Sequence, residues 1–225
     1  HKTIDCAFTA ASSLQNIAKS GRKIMFVATK KQAKTYVSEK AKELNMPYVT
    51  ERWLGGMLTN FSTIRKSLKK LSSIENMQSQ DSYTQDFSKK ERLMISRDKD
   101  KLERALGGIS TLNRIPAALF VVDIKHEEIA IQGAKKLNIP VYGMVDTNSD
   151  PNQIDFEIPS NDDSFTSVAT IMDYISAAIA EGLKEREKIK EEIRIKQEKE
   201  ASEKEAKEKK EAEKQAKEAK KQVTK

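Results

Sequence analysis

The sequence predicts an α/β fold built on a doubly wound, five-stranded parallel sheet. Short continuous apolar runs, which are typical of strands buried on both faces, alternate with segments whose apolar residues recur at helical spacing. Strands that alternate with helices in this way form parallel sheets covered by helices on both faces. Residues 57–114 interrupt the rhythm, because they contain helical patterns and no strand pattern.

Five apolar runs predict the strands, at residues 23–28, 48–50, 117–123, 140–145 and 155–158. The first helix is predicted from apolar positions at helical spacing and ends at Ser20-Gly21; these positions are Ile4, Phe8, Ala11, Leu14 and Ala18. A second helix is expected to begin with a capping box of Thr29 and Gln32 and to run to about Leu44. Further helices are predicted at about 126–137 and from about 168 onward. This strand rhythm suggests a flavodoxin-like order.

The interrupting segment predicts an antiparallel helical hairpin between the second and third strands. Its first helix is marked by Phe61, Ile64, Leu68, Leu71 and Ile74, and its second by Leu102, Leu106 and Ile109. Residues 78–87 are expected to be a loop, and Ser88 with Glu91 a capping box. The narrow apolar stripe suits a two-helix coiled-coil arm. The predicted organisation is a discontinuous α/β domain (1–56 and 115–183), an inserted arm (57–114) and an exposed or disordered Lys/Glu-rich extension (184–225).

Composition indicates a polyanionic partner. The chain has 225 residues and a net charge of +7. Residues 1–35 carry seven Lys or Arg and one acidic residue. Residues 107–183 carry four Lys or Arg and eleven acidic residues. Such polarity suggests one face for phosphate and another for basic groups or solvent. The single cysteine, Cys6, excludes an intramolecular disulfide, suggests a reducing compartment and is expected to be buried. Because the chain starts at His1, we expect a native segment before it.

An enzyme is the less favoured interpretation. The turn after the first strand, residues 28–32, contains no glycine and therefore lacks both the dinucleotide fingerprint and the phosphate-binding loop of the Walker type. Asp123, Asp146 and Asp150 follow strands and could bind Mg²⁺ or act as acids. We favour the alternative in which Asp123 caps the next helix and residues 146–151 form an Asx-rich turn. No catalytic residue, metal site or cofactor is predicted.

Basic residues cluster where RNA could bind. Lys19, Arg22, Lys30, Lys31 and Lys34 flank the first strand, and the last three lie near a helix start, whose free N–H groups attract phosphate. Arg52 adjoins Trp53 and Gly55-Gly56, and the tryptophan either stacks on a base or, as we favour, packs under the arm. The first arm helix carries Arg65, Lys66, Lys69 and Lys70, and the second carries Arg92, Arg97, Lys101 and Arg104.

Four stretches resemble the bacterial ribosomal protein S2 family (small-subunit protein two). They are KSGRKIMFVATKKQ at 19–32, ERWLGGMLTNF at 51–61, PAALFVVD at 116–123 and PVYGMVDTNSDP at 140–151. The resemblance implies a flavodoxin-like domain with a protruding hairpin. It also implies a cytoplasmic place in the ribosome, between head and body near the mRNA exit. Implied partners are small-subunit rRNA and neighbouring ribosomal proteins, including protein one. Two departures stand out: the family's N-terminal segment is absent, and the Lys/Glu tail lies outside the shared pattern.

The favoured hypothesis is a structural constituent of the small ribosomal subunit that binds rRNA and performs no catalysis. Its predicted RNA-binding residues are Lys19, Arg22, Lys30, Lys31, Lys34, Arg52, Arg65, Lys66, Lys69, Lys70 and Arg97. One alternative is a nucleotide- or metal-dependent enzyme that uses Asp123 and Asp146. Another, compatible with the first, is an adaptor that binds proteins through the acidic half and the hairpin.

Overall fold

The computed structural model describes residues 1–80 and 87–223, with side chains as far as residue 195. The strands are β1 (Ile24–Val27), β2 (Tyr48–Val49), β3 (Ala118–Val122), β4 (Val141–Val145) and β5 (Phe156–Pro159). The six α-helices in these residues are α1 (Lys2–Lys19), α2 (Lys31–Glu43), α3 (Phe61–Gln78), α4 (Lys89–Leu106), α5 (Glu128–Lys136) and α6 (Phe165–Val223). Most of the predicted loop at 78–87 lies outside the described residues. The chain divides into two compact units, His1–Leu183 and the residues from Lys184 onward.

The five strands form one sheet in the order β2-β1-β3-β4-β5, and every neighbouring pair is parallel. The predicted α/β fold with a five-stranded parallel sheet is confirmed. The order runs outward in both directions from the β1–β3 pair. In open sheets of this kind the carboxyl ends of the two central strands flank a crevice where ligands commonly bind.

The two faces of the sheet are covered by different helices, because successive side chains of a strand point to opposite sides. Phe26 and Phe120 lie on one face, where the core includes residues of α1, α2 and α6. Met25 and Leu119 lie on the other face, with residues of α5, the start of α3 and the end of α4. In the described part of the chain, no helix combines the length and the apolar character that crossing a membrane requires.

The predicted inward face of α1 is wrong at two positions. Ile4 is 68% exposed and Phe8 is 63% exposed, and Cys6 is half-buried rather than buried. The buried residues of α1 are Ala7, Ala10, Ala11, Leu14 and Ala18. This alanine-rich face lets α1 approach α6 closely: a Cβ added at Gly182 would lie 2.5 Å from the carbonyl oxygen of Gln15. Close packing of small residues therefore overrides the more apolar face of the helix.

One predicted capping box is wrong and the other is confirmed. Helix α2 has Lys30 as its N-cap, and no side chain caps it. The Thr29 hydroxyl instead donates to the buried carboxylate of Glu127, which also accepts from the Thr29 backbone N–H at 3.1 Å. At α4 the Ser88 backbone N–H donates to the Glu91 carboxylate at 2.9 Å, and the Glu91 N–H donates to the Ser88 hydroxyl at 3.3 Å. A buried carboxylate that needs donors explains the difference at Thr29.

Candidate nucleic-acid interface

The basic residues around β1 are not brought together as one cluster. Lys19 and Arg22 precede the strand and are exposed at its amino end. Lys30, Lys31 and Lys34 follow the strand at its carboxyl end. A strand of four residues separates the two groups by roughly 13 Å along its axis, since each residue advances about 3.3 Å. The two groups therefore lie at opposite ends of the parallel strands.

Lys30 is held by carboxylates. Its ammonium lies 3.3 Å from Asp123, 2.8 Å from Asp162 and 2.6 Å from Asp163. Burial acts against the charged lysine, but hydrogen bonds to Asp162 and Asp163 outweigh it and raise the pKa of Lys30. Asp162 is fully buried, and burial raises the pKa of its carboxyl group. These contacts give Lys30 a structural role at the carboxyl edge of the sheet.

Asp123 and Asp146, two strand-end aspartates of the enzyme hypothesis, belong to this same cluster. Carboxylate oxygens of Asp146, Asp162 and Asp163 lie within 4.8 Å of one another, a spacing that suits a bound cation, and the Lys30 ammonium contacts two of them. A hydrogen bond from the Thr147 backbone N–H lowers the pKa of Asp146. The aspartate side chains thus meet a lysine of the same chain and nearby backbone donors.

Two of these aspartates also shape the backbone that follows their strands. Asp123 accepts a hydrogen bond of 3.1 Å from the His126 N–H, in the turn that leads into α5. Asp150 accepts one of 3.0 Å from the Asn152 N–H, as an Asx turn does. The Asx turn at Asp150 is confirmed, whereas the predicted helix cap is wrong: Asp123 caps the turn before α5, and the helix itself has Glu127 as its N-cap.

Trp53 packs in the core, as the favoured interpretation predicted. It is 8% exposed and lies in the apolar cluster that contains Met57 and Leu58. Gly56 has a φ of +80°, a conformation that favours glycine, and it turns the chain after the tryptophan. Trp53 therefore supports the base of α3 and α4 and does not offer its ring to a nucleic-acid base.

The outer face of α3 is a continuous basic surface. Arg65, Lys66, Lys69 and Lys70 are all exposed, and among the described residues none of them has an ion-pair or hydrogen-bond partner. Ile64, Leu71 and Ile74 are buried on the opposite face. Residues three or four positions apart lie on the same face of a helix, so the basic residues share one face and the buried apolar residues share the other. We call these four basic residues the α3 basic face.

A second basic surface lines a groove beside α4. Arg52, Arg97, Lys101 and Arg104 surround a cavity of about 330 Å³ together with Glu51 and Asp100. An adjoining cavity of about 440 Å³ is lined by residues of α2, β2 and α4, among them Lys34, Lys42, Tyr48, Glu51, Glu103 and Arg104. The two cavities share Glu51, Arg104 and Ala105, so we treat them as one feature, the α4 groove.

The predicted residues Lys34, Arg52 and Arg97 meet in this groove, although they are far apart in sequence. Lys42, Lys101 and Arg104 were not predicted as binding residues. Arg97, Lys101 and Arg104 are four and then three residues apart, which places them on one face of the helix. This spacing was a signal for Lys101 and Arg104, which had not been predicted as binding residues. Nothing in the sequence places Lys42 of α2 in the same groove as α4, because that arrangement depends on the packing of β2.

Comparison with known proteins identifies the family. The family model described as "Ribosomal protein S2" matches residues 1–182. The small ribosomal subunit protein uS2 of Cytophaga hutchinsonii is 54% identical over 201 residues, which cover 89% of this chain and 79% of that protein. Its counterpart in Flavobacterium johnsoniae is 56% identical over 83% of this chain and 73% of that protein. The one in Bacteroides thetaiotaomicron is 55% identical over 83% and 66%.

These matches extend over both basic surfaces and the carboxyl edge of the sheet. A family of ribosomal proteins also agrees with the contacts of the strand-end aspartates. These side chains bind Lys30 and backbone N–H groups of the same chain. The chain therefore belongs to the ribosomal protein S2 family, whose members are structural, non-catalytic proteins of the ribosome.

Proposed function

We propose that this chain is a structural constituent of the small ribosomal subunit that binds small-subunit rRNA. The relatives above are small ribosomal subunit proteins by name. The observation that carries the proposal is the α3 basic face, where four exposed cations lie on one side of a helix without carboxylate partners in the described residues. Exposed cations on a rigid helix suit contacts with phosphates of structured RNA, which is recognised largely by shape and backbone.

The proposed RNA-binding residues are the predicted ones other than Lys30: Lys19, Arg22, Lys31, Lys34, Arg52, Arg65, Lys66, Lys69, Lys70 and Arg97. Lys30 is left out because three aspartates surround its ammonium. Lys34 stays in, since its 2.6 Å ion pair with Glu51 is between half-exposed side chains that can exchange partners at low cost.

The finer architecture is part of the same proposal. Residues 1–56 and 115–183 form a flavodoxin-like domain, residues 57–114 an antiparallel coiled-coil arm that presents the α3 basic face, and residues 184–225 a charged extension. The strand order and the mutual packing of α3 and α4 support it. By the family resemblance, the chain lies between head and body near the mRNA exit and contacts neighbouring proteins, including protein one.

Sedimentation of the protein with small subunits tests the proposal. Wild-type chain is expected to migrate with the subunit at moderate salt, and the double variant Lys66→Glu/Lys70→Glu to be largely displaced. The matched control is Lys135→Glu/Lys136→Glu, which makes the same charge change at two exposed residues of the acidic half. Retention of the α3 variant at the level of this control contradicts a role for the α3 basic face in binding rRNA.

A further inference from the structure

We propose that the α4 groove holds a short unpaired stretch of RNA, distinct from the structured RNA that meets the α3 basic face. This inference rests on the proposed function, because it assigns a second RNA site to an rRNA-binding protein. The groove brings six basic and three acidic side chains around two adjoining cavities. Its net positive charge favours a polyanion. Four of its cations have no ion-pair partner in the described part of the chain.

Those four cations are Arg52, Arg97, Lys101 and Arg104. None of them has an ion-pair or hydrogen-bond partner in the described part of the chain, even though Glu51 and Asp100 line the same cavity. Like charges held close together on rigid elements repel one another, and phosphate groups relieve that repulsion. Three of the four lie on one face of α4, so their spacing is fixed by the helix.

The size and lining of the groove favour single nucleotides over a duplex. The cavities measure about 330 and 440 Å³, each within the range of roughly 300–1,000 Å³ that encloses one small molecule. Two joined cavities of this size match two successive nucleotides. Ala105 and Gly107 are among the lining residues, and their small side chains leave room for a ligand to approach the protein backbone.

The remaining lining groups suit unpaired bases. Tyr48 is half-exposed in the larger cavity, and the Lys42 ammonium lies 5.7 Å from the centre of its ring. An aromatic ring beside basic residues is the usual platform for single-stranded nucleic acid. Glu51, Asp100 and Glu103 repel phosphate but can accept hydrogen bonds from base amino groups and 2′-hydroxyls, and the Watson–Crick edges of the bases are free only in unpaired RNA.

The test measures the binding of the full chain to fluorescent RNA by anisotropy, with a short mixed-sequence single strand and a duplex of the same length. Arg97→Glu/Lys101→Glu is expected to weaken binding of the single strand about tenfold and to flatten its salt dependence, since two phosphate contacts are lost. The α3 variant Lys66→Glu/Lys70→Glu is expected to weaken duplex binding and to change single-strand affinity less than about twofold. Lys135→Glu/Lys136→Glu is the control for net charge.

Equal loss of single-strand binding in the groove variant and the charge control overturns the inference. So does a groove variant that weakens duplex binding as much as single-strand binding. Circular dichroism of each variant confirms that it is folded, and Arg104→Gln provides a milder second variant with the same expected selectivity. Sedimentation with small subunits separates the two proposals. If the groove variant keeps its affinity for the single strand and still sediments with the subunit, the groove proposal is contradicted and the proposed rRNA-binding function is not.

Discussion

The Lys30 ammonium lies 2.8 Å from the buried carboxylate of Asp162 and 3.3 Å from that of Asp123. One side chain that follows β1 therefore contacts the residues that follow β3 and β5. We expect Lys30→Met to lower the free energy of unfolding by about 3 kcal/mol at neutral pH, because it leaves a buried carboxylate without its cation. Urea unfolding measures the loss.

The pH dependence of this loss follows from Asp162. A carboxyl group whose pKa is raised on folding stabilises the protein below its unfolded pKa and loses that contribution as the pH rises through its folded pKa. Removing Lys30 raises the folded pKa further, so the deficit of Lys30→Met should grow from acidic to neutral pH. Lys31→Met is the control at an exposed neighbour. Equal losses in the two variants contradict the buried ion pair.

Gly108 allows the short 3-10 turn that follows α4 (Gly107–Ile109) to pack on β2. A Cβ added there would lie 2.2 Å from the Tyr48 carbonyl oxygen, which is backbone and cannot move aside cheaply. Gly108→Ala is therefore expected to lower the free energy of unfolding by about 3 kcal/mol. Gly133→Ala is the control, because nothing lies within 4 Å of its added Cβ and α5 should gain about 1 kcal/mol from alanine. Thermal unfolding of the pair distinguishes steric conflict from a general cost of replacing glycine.

The capping box at the start of α4 predicts a modest, pH-dependent contribution. Ser88→Ala should lower the free energy of unfolding by about 1 kcal/mol at neutral pH. Hydrogen bonds from the Ser88 backbone and side chain lower the pKa of Glu91. A lowered pKa stabilises the fold above the unfolded pKa and is lost as the pH falls through the folded value. The deficit should thus shrink in acid. Ser73→Ala, at an exposed position in the middle of α3, should show no such loss.

The packing of Trp53 separates stability from RNA binding. Trp53→Ala should cost about 3–5 kcal/mol of stability, as the removal of a buried aromatic side chain does. Trp53→Phe keeps an aromatic ring in the core and should bind RNA within about twofold of wild type, measured by anisotropy under conditions where it is folded. A strong loss of affinity in folded Trp53→Phe would show that the ring contacts RNA after all.

The sheet could be predicted from sequence because each strand is a short apolar run between turn residues. The error at α1 has a physical cause: periodicity ranks Ile4 and Phe8 as the most apolar positions, whereas the packed helix buries its alanines to approach Gly182. The Thr29 cap failed because a buried carboxylate of a distant loop, that of Glu127, competes for the same hydroxyl. Local sequence patterns do not reveal contacts between residues that lie so far apart in the chain.

The candidate interface was predictable only where a single helix carries it. The α3 basic face follows from helical spacing, and all four of its residues were predicted. The role of Lys30 could not be predicted, since Asp162 and Asp163 lie more than a hundred residues away and come close to it only when the sheet has assembled. The α4 groove likewise requires three elements, and the sequence alone indicated half of its basic residues.

The pairing of β1 with β3 constrains how this chain is made. Ile24 lies opposite Ala118, and all of α2, β2, α3 and α4 is synthesised between them. At roughly 5–20 residues per second, the ladder at the centre of the sheet waits many seconds for its second strand to leave the exit tunnel. Meanwhile Ile24, Met25, Phe26 and Val27 have only the two residues of β2 as a partner strand. For much of its synthesis the nascent chain therefore carries an apolar strand without its main partner, and unpaired strands of this kind are prone to aggregate.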